Sequence, residues 1–266
     1  MTEFVTVDDA DDPRLANFRL NERGLASRAD RRDDAGAGLF LAEGDLVVER
    51  ALAAGCRPMA ALADRDRVPR VAHEIADTGA EVFVGGDEIR RLITKLGMPQ
   101  PIVALFHRPP RPSARELMGR SHRLVIIEGV DNPVNVGSIV RNAAALGWDG
   151  LVLDHTSADP LSRRSLRVAM GTAFSLPHAR TTDLVGELER LADGDVALYG
   201  LTPDHDAADI RAVHPAGRRA LMIGAERSGL STAALAVTTP VRIPMAAGVD
   251  SLNAAAATAI ACYALG

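Results

Sequence analysis

The chain is poor in three things, and each shortage narrows what it can be. Among 266 residues there are two cysteines, Cys56 and Cys262. They are far apart and have no companion residues at ligand spacing, which excludes a disulfide framework or a zinc site and suits a reducing compartment. Aromatic residues make up 3%, so an interior must be built mainly from Ala, Val, Leu and Ile, within an apolar content of 47% that permits a sizeable core. No apolar run approaches the roughly 20 residues of a membrane-spanning helix. The first twelve residues hold Glu3, Asp8, Asp9, Asp11 and Asp12 and no base, the opposite of a secretory leader. A cytoplasmic protein with no membrane partner and no metal is expected.

Positive charge is also unevenly supplied. Lysine occurs once, at Lys95, and arginine carries the rest, a skew attributed to genome composition. The formal net charge of −5 argues against a generally basic nucleic-acid binder. Its distribution says more. Residues 13–120 hold 18 Lys plus Arg against 15 Asp plus Glu, whereas residues 121–266 come out at −3. A locally basic face for phosphates on the N-terminal part and a mixed, solvated surface are both compatible with that balance.

Residues 1–12, acidic and poor in large apolar side chains, are expected to be a disordered tail. The spacing of Leu15, Phe18 and Leu25 predicts a helix over 14–32. Short apolar strands then alternate with helices: strands at 39–42, 58–63, 81–84 and 102–106, helices at 45–54, 70–77 and 88–95. This alternation indicates a small α/β domain over 13–107. RPPRPSARE, residues 108–116, contains three prolines, which remove backbone donors and favour extended chain. A linker over 108–120 is therefore expected, with the boundary near 115. A second α/β domain, 121–266, follows, with strands at 123–128, 151–154, 196–201, 220–223 and 240–243. Its helices are expected at 136–146, 161–170, 182–191 and 253–265. The last is rich in alanine, which permits close packing on the sheet, on another helix or on a partner subunit.

Three segments of this second half share one design, an apolar run ending in a glycine- or proline-marked polar turn. They are LVIIEGVDNPVNVGSIVR from Leu124, LMIGAERSGL from Leu221 and VRIPMAAGVDSLN from Val241. In an open α/β sheet ligands bind beyond the carboxyl ends of the strands, so neighbouring strands would gather these turns into one site. The polar residues held there are Asn135, Arg141, Glu226, Ser251 and Asn253. Each has a plainer reading. Asn135 is placed to cap the following helix and Arg141 to sit on its surface. Glu226 suits the first turn of a helix, where a negative charge meets the positive end of the dipole. Ser251 or Asn253 would cap the last helix. As a functional group, Glu226 would pair with Arg141, or with its neighbour Arg227. The seven histidines are scattered without a ligand pair, and His155 and His178, near strand ends, are read as incidental.

The order and spacing of these turns resemble the SpoU/TrmH branch of the SPOUT methyltransferases. Its first motif, N-x-G-x-x-x-R, is matched by Asn135, Gly137 and Arg141. Its second, G-x-E-x-x-G-L, is matched by Gly224, Glu226, Gly229 and Leu230. Its third, I-P-M then S-L-N, is matched by Ile243-Pro244-Met245 and Ser251-Leu252-Asn253. The serine that many relatives carry after S-L-N is alanine here. The resemblance covers about 121–266. It implies a C-terminal trefoil knot, a homodimer, and methylation of ribose 2′-hydroxyls of rRNA or tRNA. It further implies S-adenosylmethionine bound by Leu201, Thr202, Ile223, Gly224, Ile243, Pro244, Met245 and Leu252, with Asn135, Arg141, Glu226, Ser251 and Asn253 as catalytic residues. Upstream, Phe40-Leu41-Ala42-Glu43-Gly44 resembles the marker of the family's ribosomal-protein-like RNA-binding domain, although Glu43 would also suit the first turn of a helix. Two rivals stand beside this reading. One is a catalytically inactive RNA-binding protein of the same fold, against which the five retained polar positions argue. The other is a doubly wound nucleotide enzyme, for which the chain shows no early phosphate-binding glycine loop.

Overall fold

The computed structural model describes residues 4–26, 38–95 and 98–266. The chain forms two compact α/β units. One comprises residues 1–110 together with 161–174, the other 111–160 together with 175–266. No helix among the described residues is long and apolar enough to cross a membrane.

The first unit is a five-stranded sheet. Its strands are β1 (Val5–Thr6), β2 (Leu39–Glu43), β3 (Pro58–Asp64), β4 (Glu81–Gly85) and β5 (Ile102–His107), in the order β1-β4-β3-β5-β2. β5 runs antiparallel to β3 and β2, and the other pairs are parallel. The acidic tail differs from expectation. Val5 and Thr6 pair with Phe83 and Val84, and Val7 is buried. Val5 and Val7 supply apolar side chains to the unit's core, and Thr6 between them and the acids Asp8, Asp9 and Asp11 after them are exposed. The helix expected over 14–32 is also different. It breaks into a 3-10 turn, Pro13–Arg19, and a short helix, Glu22–Leu25, because Asp12 and Asn21 each cap a separate start. Residues 27–32 of that expectation lie outside the described residues.

The segment 161–174, expected within the second domain, packs in the first unit. Glu43 is the last residue of β2, not a helical residue, and its carboxylate is buried. It accepts from Arg163 Nε and from an Arg167 guanidinium nitrogen. Arg163 also donates to the Thr94 carbonyl at 2.7 Å, and the Phe174 ring lies 5.5 Å from that of Phe40. Two arginines thus compensate one buried acid, which is the condition for keeping a carboxylate away from water.

The second unit is a seven-stranded parallel sheet. Its strands are β6 (Arg123–Ile127), β7 (Gly150–Asp154), β8 (His178–Thr181), β9 (Val196–Leu201), β10 (Ala208–Asp209), β11 (Arg218–Ile223) and β12 (Thr239–Arg242). Their order is β10-β12-β9-β11-β6-β7-β8. One face carries Leu124, Ile126, Val152, Leu198, Ala220 and Met222. It packs with helices Ala114–Arg120 and Leu184–Ala192 through Leu117, Met118 and Leu188. The alternate residues Val125, Ile127, Leu151, Leu153 and Leu221 are equally buried, as a parallel sheet covered on both faces requires. The stretch expected as a linker therefore contains a helix. Ser113 and Glu116 form a reciprocal capping box, and this satisfies the helix's first amides despite the prolines before it.

The alanine-rich helix Ala254–Ala264 packs on helix Pro133–Ala145. Asn142 Nδ2 donates to the Ala255 carbonyl at 2.9 Å, and Trp148 Nε1 to the Cys262 carbonyl at 3.0 Å.

Candidate active site

The sheet order brings the three motif turns together. β6, β11, β9 and β12 are consecutive neighbours, so the chain leaving each carboxyl end enters one crevice. Beyond β6, the helix starts at Pro133, with Asn132 as its cap, accepting from the Val134 amide at 3.0 Å. Asn135 is thus not the cap, because Pro133 takes the first helical position, where its missing N–H costs nothing. Asn135 instead lies in the first turn, buried. Its Oδ1 accepts from Asn253 Nδ2 at 3.2 Å, and its own Nδ2 is a buried donor without a partner among the described residues. Asn253 caps the last helix, accepting from the Ala255 amide at 2.9 Å. The first and third motifs are therefore joined side chain to side chain.

The second motif folds back tightly. A Cβ on Gly224 would stand 2.2 Å from the Gly229 carbonyl carbon, so only glycine fits there. Gly229 itself adopts φ +68°, and its amide donates to the Ala225 carbonyl at 2.9 Å. This return places Glu226 at the exposed tip. The ion pair expected between Glu226 and Arg141 is not formed, nor is one with Arg227. Both Arg141 and Glu226 are exposed, and in water such a pair gains little.

A cavity of about 460 Å³ lies among these loops, within the size range of small-molecule sites. Leu201, Thr202, Ile223, Gly224, Glu226, Ile243, Met245, Ser251 and Leu252 line it. Pro244, Asn135, Arg141 and Asn253 do not. The lining also takes in Arg227, Ser228, Asp250 and Ala257. The first three adjoin motif residues and were legible only as their neighbours, whereas Ala257, one turn into the last helix, carried no signal.

The SpoU rRNA Methylase family matches residues 122–263. The chain belongs to the SpoU family. A protein of Mycobacterium bovis named as an uncharacterized tRNA/rRNA methyltransferase is 38% identical over 262 residues, 96% of this chain and 89% of that one. The 23S rRNA (guanosine(2553)-2′-O)-methyltransferase of Bacillus subtilis is 30% identical over 84% of this chain and 87% of its own. In three dimensions, the chain is similar to an S-adenosylmethionine-bound rRNA methyltransferase from Sinorhizobium meliloti. The TM-score is 0.82 at 26% identity, covering 97% of this chain and 96% of that one.

The cavity fits the methyl donor of a SpoU protein. Leu201, Ile223, Leu230, Leu235, Ile243 and Leu252 give it apolar walls, and Thr202, Ser228 and Ser251 contribute hydroxyls. The turns themselves offer backbone N–H and C=O groups, and Glu226, Arg227 and Asp250 add charged side chains to the lining.

Proposed function

We propose that the protein transfers the methyl group of S-adenosylmethionine to a ribose 2′-hydroxyl of a structured RNA, ribosomal or transfer RNA, and that it acts as a homodimer in the cytoplasm. The observation that carries this reading is one donor-sized cavity lined by the second and third SpoU motifs, with the first motif tied to the third through the Asn135–Asn253 hydrogen bond. The bound donor supplies a methyl group activated by its sulfonium. Leu201, Thr202, Ile223, Gly224, Ile243, Met245 and Leu252 would hold it, largely through their backbone, with Pro244 shaping the turn between Ile243 and Met245, within a trefoil knot that threads the segment after β12. Asn135 and Asn253 fix the turns on either side.

Arg141 faces the acceptor. A guanidinium stays protonated at any ordinary pH, so Arg141 stabilises negative charge developing on the 2′-oxygen and holds the adjacent phosphate. Glu226 orients Arg141 once substrate excludes water from the pair, and Ser251 completes the pocket. The first unit, residues 1–110 with 161–174, recognises the RNA. The dimer interface is formed around the last helix, where Leu252, Ile260 and Tyr263 leave apolar side chains exposed. Incorporation of tritium from labelled donor into RNA tests the activity. A map of 2′-O-methyl sites in total RNA with and without the gene identifies the nucleotide. If no RNA is labelled and the two maps agree at every site, the reading fails.

A further inference from the structure

The turn after β7 reads Asp154-His155-Thr156-Ser157-Ala158 and belongs to none of the three motifs. Asp154 is 6% exposed. One of its oxygens accepts the Gly129 and Ser157 amides, each at 3.0 Å, and the Ser157 hydroxyl. The other accepts the Thr156 amide at 3.0 Å and the Thr156 hydroxyl. Burial pushes this carboxyl up, but the hydrogen bonds from Ser157, Thr156 and Gly129 outweigh it and hold the group below the usual carboxylate range.

The donors reach beyond the turn itself. Ser157 Oγ, oriented by Asp154, accepts the Val130 amide at 3.1 Å, and the Ala158 amide returns to the Val130 carbonyl at 2.8 Å. Behind the turn, Arg180 on β8 donates to the carbonyls of Asp154 and Ser157 at 2.6 and 2.8 Å. Loop 128–132 is gripped from the other side as well. The Glu128 amide donates to the Ile223 carbonyl at 2.9 Å, and its carboxylate accepts the Ser231 amide at 2.8 Å. A Cβ on Gly129, at φ +69°, would stand 3.3 Å from that of Ala225, the neighbour of Glu226. This loop leads directly into helix Pro133–Ala145. Arg141 projects from that helix into solvent, and no partner among the described residues fixes its side chain. Its placement therefore depends on the backbone that carries it.

We propose that Asp154 is a positioning residue for the acceptor side of the site: through Gly129 and Val130 it fixes loop 128–132, and with it the direction in which Arg141 is presented. The inference rests on the methyltransferase reading above. A group displaced by about 1 Å is enough to cost on the order of a hundredfold in rate, so a loop held at two successive amides is a sensitive control point.

Asp154→Asn keeps the shape but sets an N–H against amide donors. It should quicken amide hydrogen exchange at 128–136 while β6 and β11 keep their protection. It should lower kcat about tenfold or more, leaving the RNA KM and donor affinity within about threefold, the pattern of an interaction expressed in the transition state. Ser157→Ala removes the Val130 link and the hydroxyl's bond to Asp154 but keeps the Gly129 link, and should move both readouts less. The double variant should lose less than the product of the two single losses, because both act through one loop. Exchange requires neither donor nor RNA, so a wild-type protein that methylates nothing refutes the proposed function while Asp154 is still judged. Unchanged exchange at 128–136 in both variants overturns the proposal. So does a normal kcat with a loosened loop, or a fall in donor affinity that matches the fall in kcat. If Asp154→Asn fails to fold, Ser157→Ala decides by the same criteria.

Discussion

Glu43→Ala should destabilise the first unit by about 2 kcal/mol. The side chain of Glu43 is 2% exposed, and those of its two partners, Arg163 and Arg167, are 23% and 48% exposed. Removing one member of a fully buried ion pair costs ~3–5 kcal/mol, because the other charge is left without compensation. Here the partners recover part of that loss. Arg167 can turn into water, and Arg163 keeps its bond to the Thr94 carbonyl at 2.7 Å, so the lower figure applies. Glu43→Gln preserves one acceptor and should lose roughly half as much. The order of the arginine variants follows from exposure: Arg163→Ala should cost more than Arg167→Ala. Urea unfolding followed by circular dichroism measures the change, and a Tm lower by about 5–10 °C should accompany it. Hydrogen exchange over 161–174 locates it. A shift under about 0.5 kcal/mol, the scale of an ordinary surface substitution, or undiminished protection over 161–174, would refute the claim that this acid anchors the segment.

Arg141→Ala should abolish methyl transfer while calorimetric donor affinity stays within about threefold, and Arg141→Lys should also be poor because an ammonium lacks the planar fork. Near-normal turnover, or donor binding lost in step with activity, would remove Arg141 from the acceptor side. Ile260→Asp, at a residue 43% exposed on the last helix, should convert the dimer to an inactive monomer in sedimentation. A wild-type protein that sediments as a fully active monomer would end the dimer reading. Burial pushes the Cys262 thiol up to about 12 and raises that of Cys56, so at pH 8 both are thiols rather than thiolates. A thiol reagent should label them only on unfolding, and rapid labelling of the native protein would contradict their burial.

Much of the fold was legible because it is written in short-range signals. Alternating apolar strands and helices announced an α/β architecture, and the three turns sit at the ends of neighbouring strands. What escaped was long-range or hidden by a stronger local signal. The strand Val5–Thr6 is two residues long, and its partner lies far along the chain at Phe83 and Val84. Helix Ala114–Arg120 was masked by three prolines, although Ser113 and Glu116 spelled out its capping box. The docking of 161–174 depends on Glu43 and Phe40, more than a hundred residues upstream, and periodicity carries no information about partners. The expected Arg141–Glu226 pair failed for a different reason. Strand-end position says which loops converge, not whether two exposed side chains meet. The Asp154 turn has a visible signature, a carboxylate followed at two and three residues by hydroxyls that can satisfy it, yet it lies outside the three motifs.

The discontinuity of the first unit sets a timetable for biosynthesis. Its sheet is fully synthesised by residue 110, but Phe174, Arg163 and Arg167 emerge some sixty residues later. At about 5–20 residues per second, the nascent sheet waits roughly 3–13 s for the piece that covers the Phe40 ring and neutralises Glu43. During that wait β6, β7 and the first SpoU motif are already outside the tunnel and free to begin their own assembly. The first unit is therefore completed only at residue 174, after β6 and β7 of the second have been made. Cutting the chain at the proline-rich stretch after residue 107 would leave the first unit incomplete, because the helix that seats on Glu43 would go with the other piece.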